Sequence, residues 1–349
     1  MKQVGSQMRA AILRGPRKVE VSESVEVPEI AENEVLVAVE ACGICGSDLH
    51  TYREGWRPEL TLRPTSEGGI PGHELSGRIA VLGSAVEGFE VGDRICGVSF
   101  GGMAEYVPVL ATPFTLRKIP DSLGFDVAAT VEPLANSIRI VRHAEPAAGE
   151  NVVVFGMGII GLGVIQALGA LDVGLGNLVA VDVSAKRLSM ARELGAQHVI
   201  DARECNPVER VREICGVADG AFGDSAAVDI VCDCVGQIKG MQGVPVLAQA
   251  IEMARTHVGR IVCFGLFEED VTLDMNALVL KQLRIQGSLG FTPEDVSTAV
   301  EWLATRRIDR APLISHAYPL DQVAEAFEAQ TQYEAAIKIL VKPTESAGT

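Results

Sequence analysis

Apolar positions change their spacing twice along this chain. In the first third they form short runs punctuated by Gly and Pro, such as Val35-Leu36-Val37-Ala38-Val39 and Ser76-Gly77-Arg78-Ile79-Ala80-Val81-Leu82. Runs of this length predict strands. Val91-Gly92-Asp93-Arg94-Ile95 predicts a turn leading into another. Together they predict an all-β-like region of irregular topology.

From Asn151 the texture alternates. Val152-Val153-Val154-Phe155 predicts a buried strand and Ile159 to Leu171 an apolar helix. Leu178 to Val181 predicts the next strand. Ser184 caps a predicted helix from Ala185 to Leu194, which Gly195 stops. His198 to Ile200, Val228 to Val231 and Arg260 to Phe264 predict further strands. Strand–helix alternation predicts a parallel, doubly wound sheet. After Leu283 to Gly287 the pattern shifts again. Helices are expected from Thr292 to Ala304 and from Leu320 to Gln330, then a closing strand from Ala336 to Val341. The fold class is therefore α/β, with a doubly wound domain over 151–289 and a β-rich domain over 1–150 that the tail, 290–349, rejoins. Met1 to Gln7 is expected to fray ahead of a working start at Met8, and Pro343 to Thr349 to form a disordered tail.

Composition narrows the function classes. The chain has 349 residues and a net charge of −16, which argues against nucleic acid as a partner. No apolar run is long enough for a membrane span, and the N-terminus lacks the pattern of a signal peptide. The 8 cysteines are scattered, unlike a disulfide scaffold. Several fall in apolar runs, where Cys is a small buried hydrophobe. A reducing, cytoplasmic setting is expected.

Gly156-Met157-Gly158-Ile159-Ile160-Gly161 follows a predicted strand and opens a predicted helix. Gly156 permits the tight turn, Gly158 lets backbone approach a pyrophosphate, and Gly161 allows close helix–strand packing. Asp182, at the end of the next strand, would accept from ribose hydroxyls and repel a 2′-phosphate, so NAD is favoured over NADP. Arg187 joins the expected cofactor set, although Lys186 and Arg187 also suit a solvated helix face. Cys234-Val235-Gly236 and Phe264-Gly265-Leu266 end strands on the ligand side, and Val235, Phe264 and Gly265 are expected to line the nicotinamide pocket.

The second chemical signal is Gly43-Ile44-Cys45-Gly46-Ser47-Asp48-Leu49-His50, followed by Gly72-His73-Glu74. Cys45, His73, Glu74 and Glu132 are the candidate zinc ligands, since zinc accepts thiolate, imidazole and carboxylate. The competing reading of Cys42 and Cys45 is a redox pair, which calls for a βαβ context absent here. Glu132 has a competing reading as a helix-start acid.

These motifs, with Val91-Gly92-Asp93-Arg94, Gly102-Met103-Ala104-Glu105-Tyr106 and Glu132-Pro133-Leu134-Ala135, resemble the zinc-dependent medium-chain alcohol dehydrogenases. The resemblance is greatest to the polyol, butanediol and threonine dehydrogenase branch. It implies a GroES-like catalytic domain beside the Rossmann domain. It also implies hydride transfer between a secondary alcohol or hydroxyketone and NAD. Zinc would be held by Cys45, His73 and either Glu74 or Glu132. Ser47 would take the alcohol proton, relayed through the cofactor ribose to His50, and Asp48 would support His73 as an acceptor. Relatives with a second, structural zinc carry a four-cysteine lobe. Here only Cys96 stands in that stretch, so one catalytic zinc is expected.

The loop Thr51 to Ile70 is expected to border the substrate. Its Tyr52 and Trp56 would shape the pocket, and Arg53, Arg57 or Arg63 could hold an anionic group. Phe100 and Phe291 are further wall candidates. Gly287 to Thr292 resembles butanediol-type enzymes and lacks the arginine of sugar-alcohol enzymes. The strand Leu283 to Ser288 would be a sheet edge that relatives pair across a two-fold axis, implying a homodimer or homotetramer. Competing classes are a metal-free reductase and a non-catalytic NAD(H)-binding protein on the same fold.

Overall fold

The computed structural model describes residues 4–55, 57–220, 223–332, 334 and 336–344. Trp56, Met1 to Gln3 and most of the expected tail lie outside the described residues. The chain divides into two compact units, Met1–Pro133 with Thr292–Thr349, and Leu134–Phe291. The division falls inside the helix Val131–Ala144.

The first unit is built around the strand Glu34–Gly43. It pairs antiparallel with Glu74–Leu82, Tyr106–Leu110 and Lys338–Lys342. Val35, Val37 and Val39 alternate into the core, where Ile79, Ile95, Val107, Val109, Phe327 and Ile339 meet them. That period of two fixes the register, because a one-residue slip would turn these valines to water. The closing strand matches Leu340 to Gly43 and Val341 to Cys42, and Ile44 donates its N–H to the Ile339 carbonyl. The end of the chain thereby braces the segment that carries Cys45.

Two expectations change here. The strand Gln7–Gly15 starts within the stretch expected to fray, and the Ser6 carbonyl already accepts from Val27 N–H. The expected loop from Thr51 begins inside an α-helix, Gly46–Glu54, with Cys45 as N-cap. A capping box starts it: Asp48, at the third helical position, reaches back to the Cys45 N–H. The rest of the expected loop folds as a 3-10 turn, Pro58–Leu60, and a hairpin of Arg63–Thr65 with Gly68–Ile70.

The second unit holds a six-stranded parallel sheet. In spatial order it runs His198–Asp201, Leu178–Asp182, Val152–Phe155, Ile230–Asp233, Arg260–Cys263 and Arg284–Gly287. This is the doubly wound order, with the first strand at the centre. Val152 to Phe155 are all buried, as a strand covered on both faces must be. Among the described residues Arg284–Gly287 is an edge strand, bonded on one side only. Next to it in sequence, the helix Met275–Lys281 has no buried residue, and Val279 is 68% and Leu289 81% exposed. Among the described residues no helix is long and apolar enough to cross a membrane.

Candidate metal and nucleotide sites

Asp48 is buried, and its two oxygens join the segments that carry the candidate ligands. Oδ2 accepts from Cys45 N–H (2.9 Å) and Oδ1 from Gly72 N–H (3.1 Å). It therefore acts on the His73 ring through charge, while His73 Nδ1 has no hydrogen-bond partner. That differs from the expected direct acceptor role. The backbone N–H groups of the turn and cap reach the carboxylate first.

Gly43 and Glu74 are paired across the sheet, and the Glu74 carboxylate lies over the glycine. A Cβ at position 43 would stand 2.2 Å from Glu74 Oε2. Gly72 has φ +86°, and a Cβ there would meet Cys42 Sγ at 2.6 Å. Cys42 thus packs behind the His73 loop, wholly buried, and burial raises its thiol pKa well above the usual value. It is a packing residue here.

The side-chain donor atoms of Cys45, His73 and Glu74 all lie within 4.8 Å of one another. Glu132 sits in the first turn of its helix, half-buried, and adds no atom to that set, though its charge reaches His73. Three polar atoms facing this region are buried without partners: Ser47 Oγ, His73 Nδ1 and Glu74 Oε1. Burial lowers the His73 pKa, but Cys45, Asp48 and Glu132 together hold it well above its ordinary value. A thiolate, an imidazole and a carboxylate converging on one point suit zinc.

Two cations near Glu74 were not anticipated. Lys338 Nζ donates to Glu74 Oε2 (2.6 Å) and to the Ile44 carbonyl (2.8 Å). Arg310 is wholly buried, which lowers its pKa to about 9 against the opposing Glu74 charge. Lys338 left a trace in the sequence, as a lone cation in the apolar run Ala336 to Val341. Arg310, in a polar stretch, left none.

Ser47 and His50 are half-buried on the helix Gly46–Glu54. Tyr52 departs from the expectation of a pocket wall. Its ring packs on Phe327 at 4.9 Å and its hydroxyl donates to Glu328 (2.6 Å), because the helix turns that face into the core. Phe100 is exposed, its ring centre 5.8 Å from that of the His73 ring in a T-shaped arrangement. Phe291 is buried.

In the second unit, Gly156 has φ +85°, and a Cβ there would meet Val235 Cγ2 at 2.6 Å. At Gly161 it would lie 1.8 Å from the Gly156 carbonyl oxygen, whereas at Gly158 it would meet nothing within 4 Å. The first and third glycines are thus required by packing. The second faces open space, at the N-cap of the helix Ile159–Leu171 whose first residues are Ile159 and Ile160. Free N–H groups at such a terminus suit a pyrophosphate. Asp182 accepts from Met157 N–H on one oxygen and from Val183 and Ser184 N–H on the other. It holds the glycine turn in place. Arg187 follows at the third position of the next helix, its N–H donating to Ser184 Oγ (3.4 Å).

The two loops expected beside the nicotinamide are locked together. Gln237 N–H donates to Leu266 O and Glu268 N–H to Gln237 O. A Cβ on Gly265 would lie 2.0 Å from Gly236 N. Asp233 ties them from beneath. Its Oδ1 accepts from Val235 and Gly236 N–H, and its carbonyl accepts from Phe264 and Gly265 N–H. Val235, Phe264 and Gly265 thus share one brace, and Asp233 itself was not anticipated.

Comparison with known proteins agrees with this picture. A model of the alcohol dehydrogenase GroES-like domain matches residues 31–121, and one of the zinc-binding dehydrogenase domain matches residues 160–305. The chain is 31% identical to (R,R)-butanediol dehydrogenase of Bacillus subtilis strain 168 over 368 residues, covering 96% of this chain and 100% of the relative. It is 29% identical to sorbitol dehydrogenase of the same organism over 369 residues, covering 97% and 98%. The crystal structure of 2R,3R-butanediol dehydrogenase from Bacillus subtilis superposes with a TM-score of 0.78 at 29% identity, covering 97% of this chain and 100% of that one.

Proposed function

Because the chain belongs to the zinc-type medium-chain alcohol dehydrogenases, in their polyol branch, we propose that it interconverts a secondary alcohol and its ketone with NAD. The observation that carries this is the convergence of Cys45, His73 and Glu74 donor atoms within 4.8 Å, ringed by buried polar atoms without partners.

Cys45, His73 and Glu74 would hold zinc, with Glu132 as the nearby carboxylate able to exchange with Glu74. Bound there, the metal would supply Lewis acidity to an alcohol oxygen, and NAD would take up the hydride. Ser47 Oγ, buried with no hydrogen-bond partner, would accept the alcohol proton as it releases its own toward the cofactor ribose and His50. His50, one helical turn further on, passes it toward solvent. Asp48 fixes the spacing of the two ligand segments. Lys338 holds Glu74 Oε2, which leaves Oε1 to face the cluster.

For the cofactor, Gly158 and the helix start at Ile159, Ile160 and Gly161 would take the pyrophosphate, with Gly156 shaping the turn. Asp182 and Arg187 would border the adenosine ribose, where the carboxylate would repel a 2′-phosphate and so favour NAD over NADP. Val235, Phe264 and Gly265 would border the nicotinamide. One zinc per chain is the reading we adopt, since Cys96 is a lone thiol raised by burial to about 12. The open edge Arg284–Gly287, with Val279 and Leu289 exposed nearby, favours pairing of two copies.

The test is zinc content per chain, with NAD reduction scored over diols, polyols and acidic polyols before and after chelation. Near-stoichiometric zinc with chelator-sensitive turnover supports the reading. Zinc-free turnover would point to a metal-free reductase, and NAD(H) binding without turnover to a binding protein.

A further inference from the structure

The hairpin after the 3-10 turn carries a cation that none of these roles uses. Arg63 opens the strand Arg63–Thr65. Its stem packs on Gly101, where an added Cβ would stand 2.9 Å from Arg63 Cβ and Cδ. Gly101 donates its N–H to the Gly72 carbonyl (2.9 Å), and Phe100, beside it, sets its ring T-shaped against that of His73. Arg63 therefore stands on the wall of the metal cradle. Its guanidinium is half-buried, and Nη1 is shielded from solvent with no acceptor among the described residues. Burial pulls its pKa below the usual value, opposed by the charge of Glu34. Glu34 has given an oxygen to Ala31 N–H (2.9 Å). Of the other two arginines singled out in this stretch, neither Arg53 nor Arg57 is without a partner.

A shielded guanidinium N–H without an acceptor is costly unless an anion completes it. The planar fork of arginine matches the paired oxygens of a carboxylate or phosphate. We propose that Arg63 is an anion subsite for the substrate, so that the preferred alcohol carries a carboxylate or phosphate group. This rests on the dehydrogenase reading above. It narrows the substrate class from neutral diols to acidic or phosphorylated polyols.

The test compares 2,3-butanediol and sorbitol with gluconate and sorbitol 6-phosphate, using zinc-loaded wild type, Arg63→Gln and Arg63→Lys. Turnover is followed by NAD reduction and binding by calorimetry. Wild type is expected to favour one anionic compound in kcat/KM, and whether that is gluconate or the phosphate identifies the group. Arg63→Gln should raise KM for that compound roughly 10- to 100-fold, leaving the neutral alcohols unchanged, with partial recovery in Arg63→Lys. Equal or better use of neutral alcohols by wild type, or an equal loss on all substrates in Arg63→Gln, would overturn the proposal. If Arg63→Gln does not fold, wild type decides: the anionic preference must weaken with added KCl, and a salt-independent ratio counts against it. Failure of every alcohol would sink the dehydrogenase reading. Calorimetric binding of an anionic compound that Arg63→Gln abolishes would still stand for the subsite.

Discussion

Lys338 Nζ lies 2.6 Å from Glu74 Oε2, with each side chain only 1% exposed. A carboxylate this deeply buried needs its counter-charge, and removing one partner of such a pair costs about 3–5 kcal/mol. Lys338→Met should therefore destabilise the metal-free protein by about that amount. Zinc would supply a substitute positive charge, so the loss should shrink when it is added. Urea unfolding with and without zinc measures both. An equal loss in the two conditions would separate Glu74 from the metal.

Gly43→Ala would place a methyl group 2.2 Å from Glu74 Oε2. The carboxylate must swing away, taking Oε1 out of the ligand set. We expect zinc affinity to fall roughly 10- to 100-fold, in the range seen when ligand support is removed. Competition against a chromogenic chelator reads this directly. Unchanged affinity would point to Glu132 as the working ligand.

Asp48→Ala removes the acceptor shared by Cys45 and Gly72 N–H groups. Loss of the cap alone costs about 1 kcal/mol. The larger effect should be on metal, because the two ligand segments lose their common tie. Asp48→Asn keeps one acceptor oxygen and should fall between wild type and Asp48→Ala in zinc affinity.

Asp233 gives a pH signature. Burial raises its carboxyl pKa, against two backbone N–H bonds that lower it. Its stability contribution is therefore fully present below the unfolded value of about 3.9, and is lost as pH rises through the folded value. Asp233→Asn keeps an acceptor for Val235 and Gly236 without the charge. It should gain in melting temperature relative to wild type as pH rises from acid to neutral. Asp233→Ala should lose about 1–3 kcal/mol at all pH values, because two N–H groups go unsatisfied.

The readable parts of this molecule were those whose logic is local. The glycine spacing from Gly156 to Gly161 reflects contacts within one turn. Asp182 closes its strand, as the apolar run Leu178 to Val181 predicts. The helix Gly46–Glu54 was missed because its residues are mostly polar, and the capping box that starts it uses a cysteine as N-cap. Lys338 and Glu74 are 264 residues apart, so no local pattern couples them. Tyr52 was misplaced for a similar reason: its partners, buried Phe327 and exposed Glu328, lie far along the chain from it.

The brace at the closing strand sets an order of events during synthesis. Cys45, His73 and Glu74 leave the ribosome early, but Ile339, which bonds Ile44, and Lys338, which holds Glu74, come near the end of the described chain. A nascent chain can gather the donors long before it can lock them. Metal captured in that interval would meet a loose, exchange-prone ligand set, and tight retention would await the docking of Lys338–Lys342.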